Sequence, residues 1–276
     1  MQKHVQAHVR KHTHVHASVC TSRGYARPQY MRTFGTVAAS GNYFNNGGNI
    51  MAAQDCDSQS KEPCTLSSAD YAAIMNKDDG YINQKGAQFY TMCNYADAVQ
   101  YYHIAAAMGN CDAISNLGYC YLYGRDMEQN TSLALAYFRM AASRGHIDAL
   151  YKLGDIYSRD TWVAKDAELS TYYYLKAVNL IVDENWDTNP QVILGYTELQ
   201  EYPSLCFALG RELLPKGVLL TSVEAAYLFL KHAEHGYQKF ITNGQTMYEK
   251  NHAHVKDLLA QAQFDEFRKK YSEHQE

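Results

Sequence analysis

The chain has 276 residues, of which 46% are hydrophobic and 20% are charged, and its formal net charge is -4. Every apolar run falls well short of the roughly 18 residues that a membrane helix needs, so no membrane insertion is expected. The first 54 residues hold six basic and no acidic side chains, whereas the remainder holds 19 basic against 29 acidic ones. Because such an acidic body repels phosphate backbones, we expect no nucleic acid among its partners.

Residues 1–66 have no sustained helical or strand period, and they include polar stretches such as NYFNNGGN (42–49). This composition buries too little apolar surface to offset the entropy of the chain, so the segment is predicted to be disordered. It lacks the apolar core of a secretory signal, and the seven cysteines follow no repeating interval, which favours a reducing, cytoplasmic location. The basic, acid-free start also resembles a mitochondrial presequence, so a mitochondrial location is the alternative for a eukaryotic source.

The N-terminal segment contains a run of histidines that has the composition of a metal site. Imidazoles spaced in this way can bind Zn, Ni or Cu. The residues are His4, His8, His12, His14 and His16. We interpret the run as a compositional feature of a disordered tail, and the histidines nearer the C-terminus lack further ligands at a predictable spacing. We therefore predict no metal site and no cofactor.

Ordered structure is predicted to begin at Ser67, where hydroxyl side chains can cap a short helix. Two copies of one pattern follow, 36 residues apart, at 111–146 and 147–182. The shared positions are Asp112/Asp148, Ala113/Ala149, Leu117/Leu153, Gly118/Gly154, Tyr121/Tyr157, Leu133/Leu169, Tyr137/Tyr173 and Ala141/Ala177. A fixed period in this range is typical of a solenoid, in which each unit buries its apolar face against its neighbours.

Two more copies extend the array. Residues 79–110 form a shortened copy, in which Lys85 stands where the other copies have leucine, and residues 204–236 form a fourth copy after an insert. The predicted organisation is a low-complexity segment (1–66), a helical-repeat solenoid (67–243, with units 79–110, 111–146, 147–182 and 204–236) and a C-terminal helical cap (244–276). An amphipathic cap gives the array a polar end.

Each copy is predicted to form a helical hairpin. Glycine in the first helix (Gly118, Gly154 and Gly210) costs helix propensity, which predicts close approach of the second helix at these positions. The aromatic pairs that begin at positions 101, 137 and 173 are predicted to fill the seam between neighbouring hairpins. We expect left-handed glycines at the ends of the second helices, at Gly109, Gly145 and Gly236.

The pattern A-x3-LG-x2-Y, a loop, and A-x2-YF-x2-AA-x2-G resembles the Sel-one-like repeat (SLR) family, a branch of the tetratricopeptide-like solenoids. The resemblance covers 79–182 and 204–236, although the loop at 158–165 (SRDTWVAK) lacks the glycine that the family usually has there. It implies an all-α, right-handed solenoid of stacked antiparallel helical hairpins. It also implies a non-catalytic scaffold or adaptor that binds another protein.

By analogy with tetratricopeptide units, a concave groove is lined by first-helix positions that face away from the second helix. Tyrosine offers large contact area and a hydroxyl with only two rotatable angles, which suits peptide recognition. The predicted partner-binding residues are Asn83, Tyr90, Ser115, Tyr119, Tyr123, Asp148, Tyr151, Asp155 and Arg211. The alternative, which the sequence leaves equally open, is that the tyrosines only pack between units.

Two other functions remain as alternatives. Cysteine-stapled relatives have been linked to β-lactam hydrolysis, which suggests a small hydrolase. Such relatives have a secretory signal and periodic cysteine pairs, and this sequence has neither. It also lacks the G-x-S-x-G, phosphate-loop, dinucleotide and H-E-x-x-H motifs, so we predict no enzyme activity. The third hypothesis is a structural subunit whose basic N-terminal segment enters a larger assembly.

Overall fold

The computed structural model describes residues 65–182, 189–214 and 222–272. The histidine run lies outside these residues, as do three of the seven cysteines (Cys20, Cys56 and Cys64) and nearly all of the segment predicted to be disordered. The α-helices of the described residues are α1 (Ser68–Met75), α2 (Asp79–Thr91), α3 (Tyr95–Ala107), α4 (Cys111–Tyr123), α5 (Thr131–Ser143), α6 (Ile147–Tyr157), α7 (Ala167–Val182), α8 (Pro190–Gly195), α9 (Pro203–Glu212), α10 (Val223–Thr242), α11 (Glu249–Leu259) and α12 (Asp265–Ser272). Short 3-10 helices lie at Thr197–Glu201, Thr246–Tyr248 and Ala262–Phe264.

The helices pack in chain order. α2 packs against α3, α4 against α5, α6 against α7 and α9 against α10, while α3 with α4 and α5 with α6 join one hairpin to the next. α8 and the 3-10 helix that follows it lie against α10, and α7 contacts α9, so the array continues through the insert. The protein is therefore an all-α solenoid of stacked hairpins, as predicted. Each described helix is too short or too polar to cross a bilayer.

Single residues form the joints between consecutive helices. Asn110 closes α3 with its backbone N–H, which donates to Ala105 O at 3.0 Å, and opens α4 with its side chain, whose Oδ1 accepts from Ala113 N at 2.8 Å. Gly109, at φ 100°, takes the left-handed conformation that this C-terminal motif requires. Gly145 (φ 83°) serves the same purpose at the end of α5, so both glycine predictions are confirmed.

The prediction for Gly236 was wrong. Gly236 lies inside α10, which continues to Thr242, so it ends no helix. A Cβ at this position would lie 2.2 Å from Gln200 O, because the 3-10 helix of the insert presses on α10 there. The glycine is needed for close backbone approach rather than for a left-handed turn.

The predicted close approach of the second helix to the glycines of the first helix is confirmed at Gly118 and Gly154. An ideal Cβ on Gly118 would lie 2.9 Å from the Phe138 ring, and one on Gly154 would lie 2.5 Å from the Tyr174 ring. Both rings are almost fully buried. The second helix therefore inserts an aromatic ring into the gap that each missing Cβ leaves, which compensates for the poor helix propensity of glycine.

The aromatic pairs lie within the hairpins, which corrects the predicted position between them. Tyr137 stacks on Tyr121 with ring centroids 5.3 Å apart, and Tyr173 stacks on Tyr157 at 6.0 Å. In both cases the ring from the second helix meets a ring from the first helix of the same unit. Contact with the adjacent unit is made by Arg139, whose Nη2 donates to the Tyr157 hydroxyl at 2.6 Å.

Two clusters of buried side chains form the described core, and they meet at α4. One extends from α1 to α4, and the larger one extends from α4 to the C-terminal helices. The C-terminal end is held to α10 by Glu224, which accepts hydrogen bonds from Lys270 at 2.6 Å and from the Tyr271 hydroxyl at 2.7 Å. The core is thus continuous along the repeats, as expected of a solenoid.

Candidate partner-binding surface

The predicted partner-binding residues lie on the first helices of the hairpins, α2, α4, α6 and α9. Their closest grouping is at α4 and α6. The rings of Tyr119 and Tyr123, one helical turn apart, are nearly parallel, with centroids 6.3 Å apart. Lys152 Nζ lies 5.4 Å from the Tyr119 centroid and 5.5 Å from the Tyr123 centroid, and it donates to the Tyr123 hydroxyl at 3.0 Å. The two tyrosine rings therefore lie side by side over a buried ammonium group.

Charged residues of α6 and of the loop after it lie beside these tyrosines. Lys152 Nζ lies 3.3 Å from Asp155 Oδ2, and Arg159 donates to the other carboxylate oxygen of Asp155. Burial lowers the pKa of Lys152, but Asp155 and Tyr123 more than offset this, so its pKa lies above the ordinary value. Lys152 remains charged, and Asp155 lies between two cations, Lys152 and Arg159, in a buried polar network with a net positive charge.

Tyr119 and Tyr151 are each only 9% exposed. Tyr119 meets Phe138 edge-on at 5.0 Å, and the Tyr151 ring stacks on Tyr174 at 6.0 Å. Burial raises the pKa of both tyrosines well above its ordinary value, and the carboxylate of Asp155 raises both further. Their hydroxyls therefore stay protonated and are able to donate hydrogen bonds, while their rings take part in the packing of the hairpins.

Trp162, which the sequence analysis did not single out, extends the aromatic ridge. It lies in the loop between α6 and α7, and its ring meets Tyr123 edge-on with centroids 5.6 Å apart. Trp162 and Tyr123 are half-buried, so both retain surface for a partner. This is the loop without the family's usual glycine. We call Tyr119, Tyr123, Lys152, Asp155 and Trp162 the aromatic ridge.

Acidic residues at the starts of the first helices link successive repeats. Asn110 Nδ2 donates to Asp79 Oδ2 at 2.9 Å, and His146 Nε2 lies 2.8 Å from Asp112 Oδ1. In both cases the N-cap of one first helix binds the acidic residue in the first turn of the preceding one. Asp148, the predicted groove residue, lies two positions after His146 and is half-buried. Burial raises its pKa, although His146 opposes the shift.

The remaining predicted residues are dispersed. Asn83 accepts a hydrogen bond from Asn116 Nδ2 at 3.1 Å, and Tyr90 meets Tyr95 edge-on at 5.0 Å. Ser115 is buried, with 2% of its surface exposed, and its Oγ makes no hydrogen bond among the described residues. Arg211 is exposed on α9, with its guanidinium 5.5 Å from the Phe207 centroid.

Lys152 was not among the predicted partner-binding residues, although the sequence contains a signal for it. Lys152 stands 36 residues after Asn116, so a polar side chain recurs at this first-helix position. It is 3% exposed, a burial that composition alone does not reveal. For Trp162 the only signal is a large aromatic residue in a loop, and its contact with Tyr123 depends on the path of that loop.

Cysteine and metal-ligating side chains are dispersed in the part of the chain that the structure describes. Within 65–182, 189–214 and 222–272, no group of three or more His, Cys, Asp or Glu side chains could hold a metal ion. Cys93, Cys111, Cys120 and Cys206 form no disulfide in those ranges. Burial raises the pKa of the Cys120 thiol to about 12, so this thiol stays protonated. The candidate surface therefore offers hydrogen-bonding groups and aromatic side chains to a partner.

Comparison with known families identifies one match. The model of the Sel1 repeat matches the chain at residues 79–110, 111–146 and 147–180. These segments contain the hairpins α2–α3 and α4–α5 and α6 with all but the last two residues of α7, and therefore the whole aromatic ridge. No curated protein is significantly similar to the chain.

Proposed function

We propose that the chain is a scaffold or adaptor that binds an extended peptide or a helix, because it contains three Sel1 repeats and such repeats generally mediate protein–protein interaction. The partner contacts the first-helix face, with the aromatic ridge at its centre. Sel1 is a non-catalytic repeat type, which is consistent with a binding function.

One observation supports the position of the site. Tyr123 and Trp162 meet edge-on and keep part of their surface exposed, while Lys152 and Asp155 beneath them satisfy each other's charge. Aromatic side chains that are held rigid by packing give contact area at a small entropic cost. Aromatic residues of this kind dominate the energetics of many interfaces.

The test uses the full chain as bait. Affinity capture from cells of the source organism, quantified by mass spectrometry, compares the wild type with Tyr123→Ala and Trp162→Ala. We expect at least one captured protein to be depleted by about tenfold in both variants, as for loss of an aromatic hot spot. Peptides from that protein, titrated against the wild type, then give the affinity directly.

A matched control keeps the result interpretable. Tyr172 lies on α7, a second helix, and is 53% exposed, so Tyr172→Ala removes a tyrosine of similar chemistry from another face. Circular dichroism and thermal melts verify that all variants fold. If the three variants capture the same proteins in the same amounts as the wild type, the aromatic ridge is not the binding site.

A further inference from the structure

His146 joins three helices of the array. Its backbone N–H donates to Ala141 O of α5 at 3.2 Å, its ring Nδ1 accepts from Ala149 N of α6 at 3.1 Å, and its ring Nε2 lies 2.8 Å from Asp112 Oδ1 of α4. Its side chain is only 10% exposed. The residue therefore ends one helix, begins the next and holds the preceding repeat.

The equivalent residue of the preceding repeat is Asn110, 36 positions earlier. Asn110 makes the same set of bonds, since its Oδ1 accepts from Ala113 N at 2.8 Å and its Nδ2 donates to Asp79 Oδ2 at 2.9 Å. An amide carries its acceptor and its donor at every pH. An imidazole carries both only while it is neutral. The capping side chain between the second and third matched repeats therefore titrates, whereas the capping amide of Asn110 in the preceding joint does not.

The two ring bonds of His146 require one tautomer. A backbone N–H only donates, so Nδ1 must be the acceptor for Ala149, and the ring proton must lie on Nε2, where it faces Asp112. Protonation places a second hydrogen on Nδ1, which then opposes the Ala149 N–H. The bond to Asp112 becomes an ion pair and is strengthened.

Two carboxylates act on this ring, namely Asp112 of α4, which is bonded to Nε2, and Asp148 of α6. On the other packed elements, Arg144 follows the end of α5 and its Nη1 donates to Gly109 O at 3.2 Å, while Tyr202 lies near Asp148. Burial lowers the pKa of His146, but the hydrogen bond to Asp112 and the charge of Asp148 outweigh burial and raise it above the ordinary histidine value.

We propose that His146 is a pH-sensitive joint between the second and third Sel1 repeats, at which protonation releases the first turn of α6 from its cap and keeps the bond to Asp112. The released turn contains Asp148 and is followed by Tyr151, so acidification changes the start of a helix that carries part of the first-helix face. The proposal concerns the joint itself and does not depend on the identity of a partner.

The expected response is local. Because the pKa of His146 is raised in the folded protein, the contribution of its ion pair to stability is present below the unfolded pKa and is lost as the pH rises through the folded value. Acidification through this group therefore opens the cap without unfolding the array. Amide hydrogen exchange at Ala149 is the matching observable.

The experiment measures the full chain by NMR at a series of pH values, with the His146 ring and the Ala149 amide followed together. From about pH 7.5 to about pH 5.5, we expect the protection factor of the Ala149 amide to fall by about fivefold, as for loss of one cap bond. His146→Asn copies the bonds of Asn110 and should show no such fall. The Ala113 amide, capped by Asn110, is an internal control.

A second variant keeps the test decisive if His146→Asn does not fold. Asp112→Asn removes the carboxylate that favours the protonated ring, so the midpoints of the His146 ring and the Ala149 amide should both move to lower pH, and by the same amount. The proposal is overturned if Ala149 protection is constant across the titration, if it falls equally in His146→Asn, or if the two midpoints in Asp112→Asn do not move together.

Discussion

Lys85 Nζ lies 2.6 Å and 2.7 Å from the two carboxylate oxygens of Asp70, although 15 residues separate them in the chain. Asp70 is fully buried, and it also accepts from the Tyr101 hydroxyl at 2.8 Å and from Ser67 Oγ at 2.7 Å. Lys85 stands where the next repeat has Leu117. α1 thus closes this end of the described array with an ion pair, where the inner repeats use a leucine.

Asp70→Asn should lower the free energy of unfolding by about 3 kcal/mol, because it leaves the Lys85 ammonium without its anion. Urea denaturation followed by circular dichroism measures the loss. The double variant Asp70→Ala/Lys85→Leu restores the leucine of the inner repeats and should recover at least half of it, since an apolar pair needs no desolvation of charge. A double variant as unstable as the single one would show that the ion pair has no apolar substitute.

The same pair predicts an acid sensitivity. Burial raises the pKa of Asp70, but hydrogen bonds from Lys85, Ser67 and Tyr101 outweigh burial, so the pKa lies well below its ordinary value. A lowered folded pKa stabilises the fold above the unfolded value of about 3.9 and loses that contribution as the pH falls below it. Melting temperatures from about pH 5 to about pH 3 should fall more steeply in the wild type than in Asp70→Ala/Lys85→Leu. Parallel curves would contradict this assignment.

Gly118→Ala and Gly154→Ala should each destabilise the protein by about 2 kcal/mol, although alanine is the better helix former. The new Cβ would clash with the buried ring of Phe138 or Tyr174. Gly80→Ala is the matched control, because at this position of α2 the nearest atom to the new Cβ is 3.7 Å away. That variant should be neutral or more stable by up to ~1 kcal/mol in thermal melts. Equal effects at all three positions would refute the close-approach argument.

Lys152→Met should cost about 2 kcal/mol, because it removes a desolvated cation–π contact and the Asp155 partner while conserving most of the volume. Lys176→Met is the control, since Lys176 is exposed and its Nζ lies 5.9 Å from the Tyr172 centroid. We expect that change to cost less than ~1 kcal/mol. Chemical denaturation of both variants under identical conditions compares the two, and a similar loss in each would show that burial of Lys152 adds nothing.

Cys93→Gly should stabilise the protein by about 1 kcal/mol, because Cys93 adopts φ 59°, which glycine adopts without strain. Gly109→Ala should have the opposite sign and a similar size, since Gly109 has φ 100° and open space around its Cβ position. Thermal melts under reducing conditions check both. If Cys93→Gly is destabilising, the side chain of Cys93 contributes more than its backbone strain costs.

The sequence predicted the repeats because their signal is local and periodic. Ser67 caps α1 as expected, with Asp70 completing a capping box, and Gly118 and Gly154 lie where the second helix approaches. The prediction for Gly236 was wrong because its match to Gly145 suggested a helix end. Instead α10 continues past Gly236, and the missing side chain lets the backbone of the insert pack closely against the helix. A helix end is decided by what packs next to it, which a repeat alignment does not contain.

By itself, then, the sequence determined the period, the hairpin and the first-helix positions, because each copy must bury the same apolar faces in the same way. Only the tertiary structure decided which of those positions meet. It placed Lys152 against two tyrosine rings, Trp162 against Tyr123, and Asp70 against Lys85. These contacts join side chains from different helices or from an irregular loop, so their geometry depends on how the units stack and not on any spacing along the chain.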